Sequence, residues 1–418
     1  MRSWLGHITL PFLLFSAPLS AQLLIPMDDA QKDHLRAYGI VYQVLQKGQK
    51  AKILLNYRGG SFLIPATPEY QRAATLAGVS WQNYTAEEAS RFVALSQKEN
   101  VDQLDLEKAP RIAIYKPPST EPWDDAVSMA LNYAKIPYKM LWDKKVLAGQ
   151  LSKYDWLHLH HEDFTGQYGK FYAFARRMQW YQKRRLEFEK MAKSLGYKRV
   201  ADQKRDVARA IQKYVASGGF LFAMCSATDT LDISVAAAGI DIVDPVLDAT
   251  PITPRFNEKL NFDATFGFEN FKIFPDPYVY EFSDIDVNPQ KEGIIQQKDF
   301  FTLFEFNAHI DPIPSLLTQN HTREIRGFLG QTTAFNIDKI KPRVLILGQS
   351  LGTKRVKYIY GSYKKGFFSF YGGHDPEDYQ HLVGDPPTNL ALHKNSPGYR
   401  LILNNIFLPA AKKKKRKT

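Results

Sequence analysis

The sequence contains almost no cysteine and no long apolar run, and each absence excludes a class of protein. Cys225 is the single cysteine among 418 residues, so the chain cannot be a scaffold held together by internal disulfides. No stretch beyond the N-terminus approaches the run of about 18 uncharged apolar residues that a membrane-spanning helix needs. Hydrophobic residues make up 44% of the chain and aromatic residues 13%, which excludes wholesale disorder. Stability must therefore come from apolar packing.

The positive charge of the chain is concentrated at its C-terminus. The formal net charge is +12, but every residue from Lys412 to Lys417 is basic, so the body of the chain is only weakly positive. Residues 412–418 are expected to form a disordered basic tail. No basic stripe in the body accompanies a nucleic-acid-binding motif, so no specific nucleic-acid partner is predicted.

The N-terminus has the pattern of an export signal. Arg2 is followed by a mostly apolar stretch over residues 8–15, and small residues lead up to Ala21. Residues 1–21 are therefore predicted to be a signal peptide. No cysteine follows the cleavage position, so a lipid anchor is not expected. The mature protein is predicted to be exported, in the periplasm, without a transmembrane segment.

Strand and helix patterns alternate along most of the chain, which predicts an α/β fold with a doubly wound, mostly parallel sheet. Residues 22–108 read as an N-terminal α/β unit containing a β-α-β segment, in which Asp28 and Asp29 cap the helix. Residues 109–240 and 341–411 read as the main α/β core. Residues 241–340 are rich in Phe, Asp and Pro and have little helical pattern, so they are predicted to be a β-rich insertion.

Three polar segments each come directly after an apolar strand. They are His160 to Asp163, Cys225 with Ser226, and His374 to Glu377. Because the carboxyl ends of parallel strands meet at one edge of a sheet, these segments are expected to lie together and to form the functional site.

Cys225 lies between a strand and a helix, where the helix N-terminus favours a thiolate. The backbone N–H of Ser226 and the loop from Glu162 to Gly166 would stabilise an oxyanion. His374 would activate the thiol, and Glu377 or Asp375 would orient the imidazole. The alternative is that Cys225 is a small buried apolar residue and that the segment after His374 is a polar turn.

A second group of polar side chains surrounds the end of the strand that contains His158. His158, His160, His161, Glu162 and Asp163 are of types that bind metals, and His374 could complete such a set. Their spacing matches no zinc signature, so a pocket wall near the substrate is favoured. No metal and no other cofactor is predicted.

The element order and two motifs resemble the class I glutamine amidotransferases. The motifs are the elbow from Ala223 to Ala227, with alanine at both positions where the family has glycine, and His374-Asp375-Pro376-Glu377, which has one extra residue. The resemblance implies a flavodoxin-like fold over roughly residues 110–240 and 340–410. It also implies a catalytic triad of Cys225, His374 and Glu377.

Longer stretches are similar to a family of exported bacterial proteins that is commonly labelled asparagine synthetase B. These stretches are Leu24 to Asp28, Leu55 to Phe62, Asp155 to Phe164 and His374 to His381. ATP-dependent asparagine synthesis is nevertheless not expected. Arg2 stands where that enzyme has its nucleophilic cysteine, and Ser217-Gly218-Gly219 lacks the aspartate of a pyrophosphate loop.

Three hypotheses of function follow from the sequence. The first is an exported, cysteine-dependent hydrolase of an amide or related acyl bond, with an unknown substrate. The second is a non-catalytic module on the same fold that binds a small molecule, a peptide, a carbohydrate or an envelope partner. The third and least favoured is a metal-dependent hydrolase that uses His160, His161, Asp163 and His374.

Overall fold

The structure is a computed structural model that describes residues 21–118, 125–287, 291–379 and 382–412. The predicted signal peptide, apart from its last residue, and nearly all of the basic tail lie outside the described residues. The strands are β1 (Gln22–Ile25), β2 (Ala51–Leu55), β3 (Ser61–Pro65), β4 (Gln82–Tyr84), β5 (Asp102–Leu106), β6 (Ile112–Tyr115), β7 (Lys139–Leu141), β8 (Trp156–Leu159), β9 (Phe220–Met224), β10 (Phe300–Leu303), β11 (Glu324–Arg326), β12 (Phe335–Asn336), β13 (Leu345–Gln349), β14 (Arg355–Tyr363) and β15 (Gly366–Tyr371). The helices are α1 (His34–Gln46), α2 (Pro68–Leu76), α3 (Ala86–Lys98), α4 (Ala126–Tyr133), α5 (Asp143–Leu147), α6 (Tyr172–Ala175), α7 (Gln179–Ser194), α8 (Val200–Ala216), α9 (Ala227–Ala236), α10 (Pro245–Asp248), α11 (Pro312–Leu317) and α12 (Pro397–Ile406).

The N-terminal unit is built on an antiparallel sheet in the order β4-β1-β3-β2-β5. β1 and β2 run in the same direction and are joined through α1, as the sequence predicts, but β3 is inserted between them. The predicted helix cap is wrong. α1 begins after Asp33, whose carboxylate accepts from the backbone N–H of Arg36 at 2.9 Å. Asp28 instead forms an ion pair with Arg58 at 2.7 Å.

The second sheet is mixed and has the order β11-β10-β13-β14-β15-β9-β8-β6-β7, with β12 added beside β14. The strands β7, β6, β8, β9 and β15 are parallel. If these five strands are numbered 1 to 5 as they occur along the chain, their order across the sheet is 2-1-3-4-5. This is the order of a flavodoxin-like sheet. The other strands are antiparallel, so the sheet is less parallel than the sequence predicted.

Apolar side chains cover both faces of the parallel strands, because successive residues of a strand point to opposite faces. In β9, Phe220, Phe222 and Met224 join a core that also contains α4 and α12. Leu221 and Ala223 join the opposite core, which contains α8 and α9. The helices on both faces thus hold the parallel strands in place and leave only the strand ends for chemistry.

The segment from residue 241 to residue 340 contributes β10 and β11 to the edge of the mixed sheet and β12 beside β14, with short helices and irregular segments between them. β14 and β15 form a hairpin whose turn contains Lys364 and Lys365. In this way the antiparallel strands continue the sheet outward from β15.

The N-terminal unit and the mixed sheet share one apolar core. Arg400, fully buried in α12, donates to the carbonyl oxygen of Met27 at 2.7 Å and to that of Gly59. Gly39 in α1 lies so close to the end of α4 that a Cβ there would overlap the carbonyl oxygen of Ala134. Within the described ranges, no helix combines the length and the hydrophobicity that crossing a bilayer requires.

Candidate functional site

All the polar segments that the sequence singled out lie at the carboxyl edge of the parallel strands. His160 and His161 follow β8, Cys225 follows β9, and His374 follows β15. Asp125 lies on the connection that leaves β6 and leads into α4. The strand order reverses between β6 and β8, and the crevice at such a reversal is where open α/β sheets bind ligands.

Three imidazoles form a compact group at this edge, here called the histidine cluster: His160, His161 and His374. The rings of His160 and His161 are stacked with their centroids 3.7 Å apart. The ring of His374 lies 4.2 Å from that of His161 and 5.2 Å from that of His160. His160 is buried, His161 is half-buried, and His374 is 9% exposed. The cluster therefore reaches from the interior towards the surface.

Asp125 holds the innermost member of the cluster. Its Oδ1 lies 3.3 Å from Nδ1 of His160 and 3.7 Å from Nε2 of His158. The same carboxylate caps α4 by accepting from the backbone N–H groups of Val127 and Ser128. Burial opposes the charge of Asp125, but the hydrogen bond to His160 and the nearby imidazole of His158 hold its pKa well below the usual range.

The contact with Asp125 fixes the role of each nitrogen of His160. In the neutral imidazole, Nδ1 carries the proton that is donated to the carboxylate, and Nε2 then holds the lone pair. Nε2 is buried and has no hydrogen-bond partner within the part of the chain that the structure describes. Such a nitrogen can accept a proton or bind a cation. His158 is fully buried behind this pair, and Nδ1 of its ring lies 3.1 Å from the carbonyl oxygen of Phe222.

Cys225 has the backbone of an elbow but not the environment of a thiolate. Its φ of +53° makes the sharp turn between β9 and α9. The side chain is 2% exposed, and its thiol donates to the carbonyl oxygen of Gln331 at 2.9 Å. Burial raises the pKa of this thiol to about 12, and the nearby carboxyl groups of Asp229 and Asp286 act in the same direction. Both effects oppose the thiolate that the helix N-terminus is expected to favour, and the role of Cys225 as a nucleophile stays a prediction.

The predicted oxyanion loop packs against the same elbow. Ser226 is buried. The hydroxyl of Thr230 donates to the backbone carbonyl oxygens of both Ser226 and Glu162. The carboxylate of Asp163 accepts from the backbone N–H of Thr165 at 2.7 Å and from that of Gly169 at 2.9 Å. Asp163 thus shapes its own loop, and the structure does not group it with the three imidazoles.

The two carboxylates that follow His374 contact other partners. Glu377 lies 3.2 Å from Nδ1 of His393. Asp375 is fully buried and accepts from the hydroxyls of Tyr399 at 2.7 Å and Thr388 at 2.8 Å. The structure thus brings His374 to His160 and His161, while it directs Glu377 and Asp375 towards the C-terminal segment.

The sequence places His158 among the possible metal ligands but does not single out Asp125 as a site residue, so the carboxylate that supports His160 was not predicted. The signals were present. His158 and His160 are two residues apart on a strand and therefore share a face. Asp125 starts the helix that follows the neighbouring strand.

Comparisons with known proteins give no family and no function. The sequence matches no family model and no curated protein. Among solved structures, the cytoplasmic proteins STM3548 and STM1381 of Salmonella typhimurium are similar over 72% of this chain and 100% of theirs, with 10% and 12% identity and TM-scores of 0.34 and 0.35. Gan42B, a GH42 β-galactosidase from G. stearothermophilus, is similar over 69% of this chain and 30% of its own, with 12% identity and a TM-score of 0.27.

Proposed function

We propose that this chain is an exported hydrolase of amide or related acyl bonds and that the histidine cluster is its reactive site. The observation that carries the proposal is the pairing of Asp125 with His160 at 3.3 Å, which leaves Nε2 of a buried imidazole without a hydrogen-bond partner among the described residues. A carboxylate that orients an imidazole in this way is the arrangement of a general base. The cluster lies at the strand-order reversal, which is where open α/β sheets bind ligands.

In the proposed reaction, a water molecule held at the cluster adds to the acyl carbon. An imidazole nitrogen takes the proton of the water as the new carbon–oxygen bond forms. The same proton passes to the leaving nitrogen or oxygen when its bond to the acyl carbon breaks. The products are a carboxylic acid and an amine or alcohol, and no redox cofactor is required.

A second candidate is the cysteine-dependent hydrolase that the sequence predicted. The left-handed backbone of Cys225 favours it, because a residue held on a strained turn between a strand and a helix is typical of a nucleophile elbow. The raised pKa of the thiol and its contact with Gln331 oppose it. In that reaction the thiol would have to move away from the carbonyl oxygen of Gln331 before it could attack.

The proposal is tested with the mature chain and a panel of short peptides, N-acyl amino acids, side-chain amides and activated esters, with acid or amine release as the readout. His160→Ala should lower turnover at least about 100-fold, the usual contribution of a general base. The matched control is His309→Gln, which alters an exposed histidine outside the cluster. If the folded wild-type chain binds a member of this panel but never cleaves it, the non-catalytic module becomes the better account.

A further inference from the structure

We propose that the histidine cluster binds one divalent transition-metal ion, with zinc as the best fit. The inference rests on the proposed function and deepens it by naming a cofactor, where the sequence predicted none. It is carried by the positions of His160, His161 and His374 and by the carboxylate that lies behind them.

The geometry suits an ion with three protein ligands. One ring nitrogen from each of the three imidazoles can be chosen so that all three lie within 4.8 Å of one another. Zinc binds imidazole nitrogen at about 2.0–2.1 Å, so the nitrogens would need to close to roughly 3.3 Å by small rotations of the rings. Three nitrogen ligands leave the fourth tetrahedral position open, as in catalytic zinc sites.

The second observation is the carboxylate of Asp125, which lies on the buried side of the cluster. Metal-binding histidines commonly donate their other ring N–H to a carboxylate, which fixes the tautomer and makes the ligand nitrogen more basic. Asp125 occupies that position relative to His160. The remaining nitrogen of His160 is buried without a partner among the described residues, although burial of an unpaired polar atom is costly. A bound cation would satisfy it.

The chemistry of the donor set narrows the choice of ion. The carboxylate of Asp163 accepts hydrogen bonds from its own loop, and the thiol of Cys225 donates to Gln331. The metal site would therefore contain neither a hard carboxylate ligand nor a soft thiolate ligand. A set of neutral imidazoles suits zinc, copper and nickel, whereas magnesium and calcium require oxygen ligands.

With an ion bound, the ion rather than an imidazole nitrogen activates the water molecule. The overall hydrolysis is unchanged. The open position holds a water molecule, and the ion makes it easier for that water to lose a proton to solvent. The resulting hydroxide adds to the acyl carbon, the bond to the leaving group breaks, and solvent returns a proton to that group. The three imidazoles then act as ligands, and Asp125 positions one of them.

The test uses the mature chain, stripped with a chelator and titrated with Zn²⁺ in competition with a colorimetric indicator and with Co²⁺ by visible absorption. We expect one equivalent per chain and a Co²⁺ spectrum typical of a four-coordinate site. His161→Gln and His374→Gln should each weaken binding at least about 100-fold, and Asp125→Asn about 10- to 100-fold. His309→Gln and Cys225→Ser should bind as the wild type does. Circular dichroism and thermal unfolding establish that each variant is folded.

Several outcomes would overturn the metal site. One is a folded wild-type chain that binds no metal at micromolar concentrations, and another is stoichiometric binding that persists in both His161→Gln and His374→Gln. Hydrolysis that needs His160 but survives complete removal of metal would also overturn it, while leaving the proposed function intact. Conversely, a stoichiometric site in a chain that cleaves no acyl substrate would support the metal inference and contradict the proposed function.

Discussion

At the scale of single residues, the neighbours of a side chain decide its chemistry more than its position in a motif does. Cys225 occupies the turn that a nucleophile would occupy, yet Gln331 and two carboxyl groups surround its thiol. His160 belongs to no recognised motif, yet Asp125 orients it and two further imidazoles lie beside it. The contacts that distinguish these two residues come from segments far away in the sequence, and a single sequence does not reveal them.

The first prediction concerns the reactivity of Cys225. Iodoacetamide should label the native chain very slowly up to about pH 9, because the thiol is buried and its pKa is raised to about 12. Denatured chain should be labelled fast, with a midpoint near the unperturbed value of about 8.5. Mass spectrometry of the single thiol measures both rates. Fast native labelling with a midpoint of about 7 or lower would restore Cys225 as a nucleophile.

The second prediction concerns Asp286, whose pKa burial raises to about 7, with the charge of Glu281 acting in the same direction. The folded chain therefore holds a proton that the unfolded chain releases near pH 4, so this group lowers stability as the pH rises from about 4 to 7. Asp286→Asn should remove that loss, on the order of 4 kcal/mol at most. Urea unfolding at pH 5 and pH 8 measures it, and equal pH dependence in variant and wild type would refute it.

At the scale of elements, much of the fold follows from local sequence patterns. The β-α-β connection through α1 and the three polar segments that follow apolar strands all lie where the sequence predicts them. The cap of α1 was misplaced because Asp28 and Asp33 are both good caps, and the choice depends on the distant Arg58. The insertion of β3 between β1 and β2 was also missed, because strand order depends on tertiary pairing.

The third prediction separates the capping role of Asp125 from its role towards His160. Asparagine is as good a helix cap as aspartate, so Asp125→Asn should change the stability of α4 little. It should lower turnover by at least about 100-fold, because an amide no longer fixes the tautomer of His160. Asp33→Asn is the matched control, since Asp33 caps α1 and lies on another helix. Equal turnover in the two variants, measured with equal melting temperatures, would contradict this account.

At the scale of the whole molecule, the apolar core continues from the N-terminal sheet into the mixed sheet. The sequence located an N-terminal α/β unit but gave no sign that the unit shares its core with α12. Arg400 forms that connection with hydrogen bonds to Met27, Gly59 and Tyr38. We therefore expect the two sheets to unfold together.

The fourth prediction follows from this shared core. Arg400→Met should destabilise the chain by about 3 kcal/mol, because it leaves buried carbonyl oxygens without a donor. Urea unfolding should remain a single transition that coincides by tryptophan fluorescence and circular dichroism. Two separate transitions in the wild-type chain would show that the sheets are independent units.

The most direct measurement compares two variants, each of which lacks one side chain at the carboxyl edge of the parallel strands. Cys225→Ala and His160→Ala are assayed side by side on one acyl substrate that the wild-type chain cleaves. We expect Cys225→Ala to keep turnover within a few-fold of the wild type and His160→Ala to lose at least about 100-fold. Loss of turnover in Cys225→Ala, with activity retained in His160→Ala, would instead place the chemistry at the thiol.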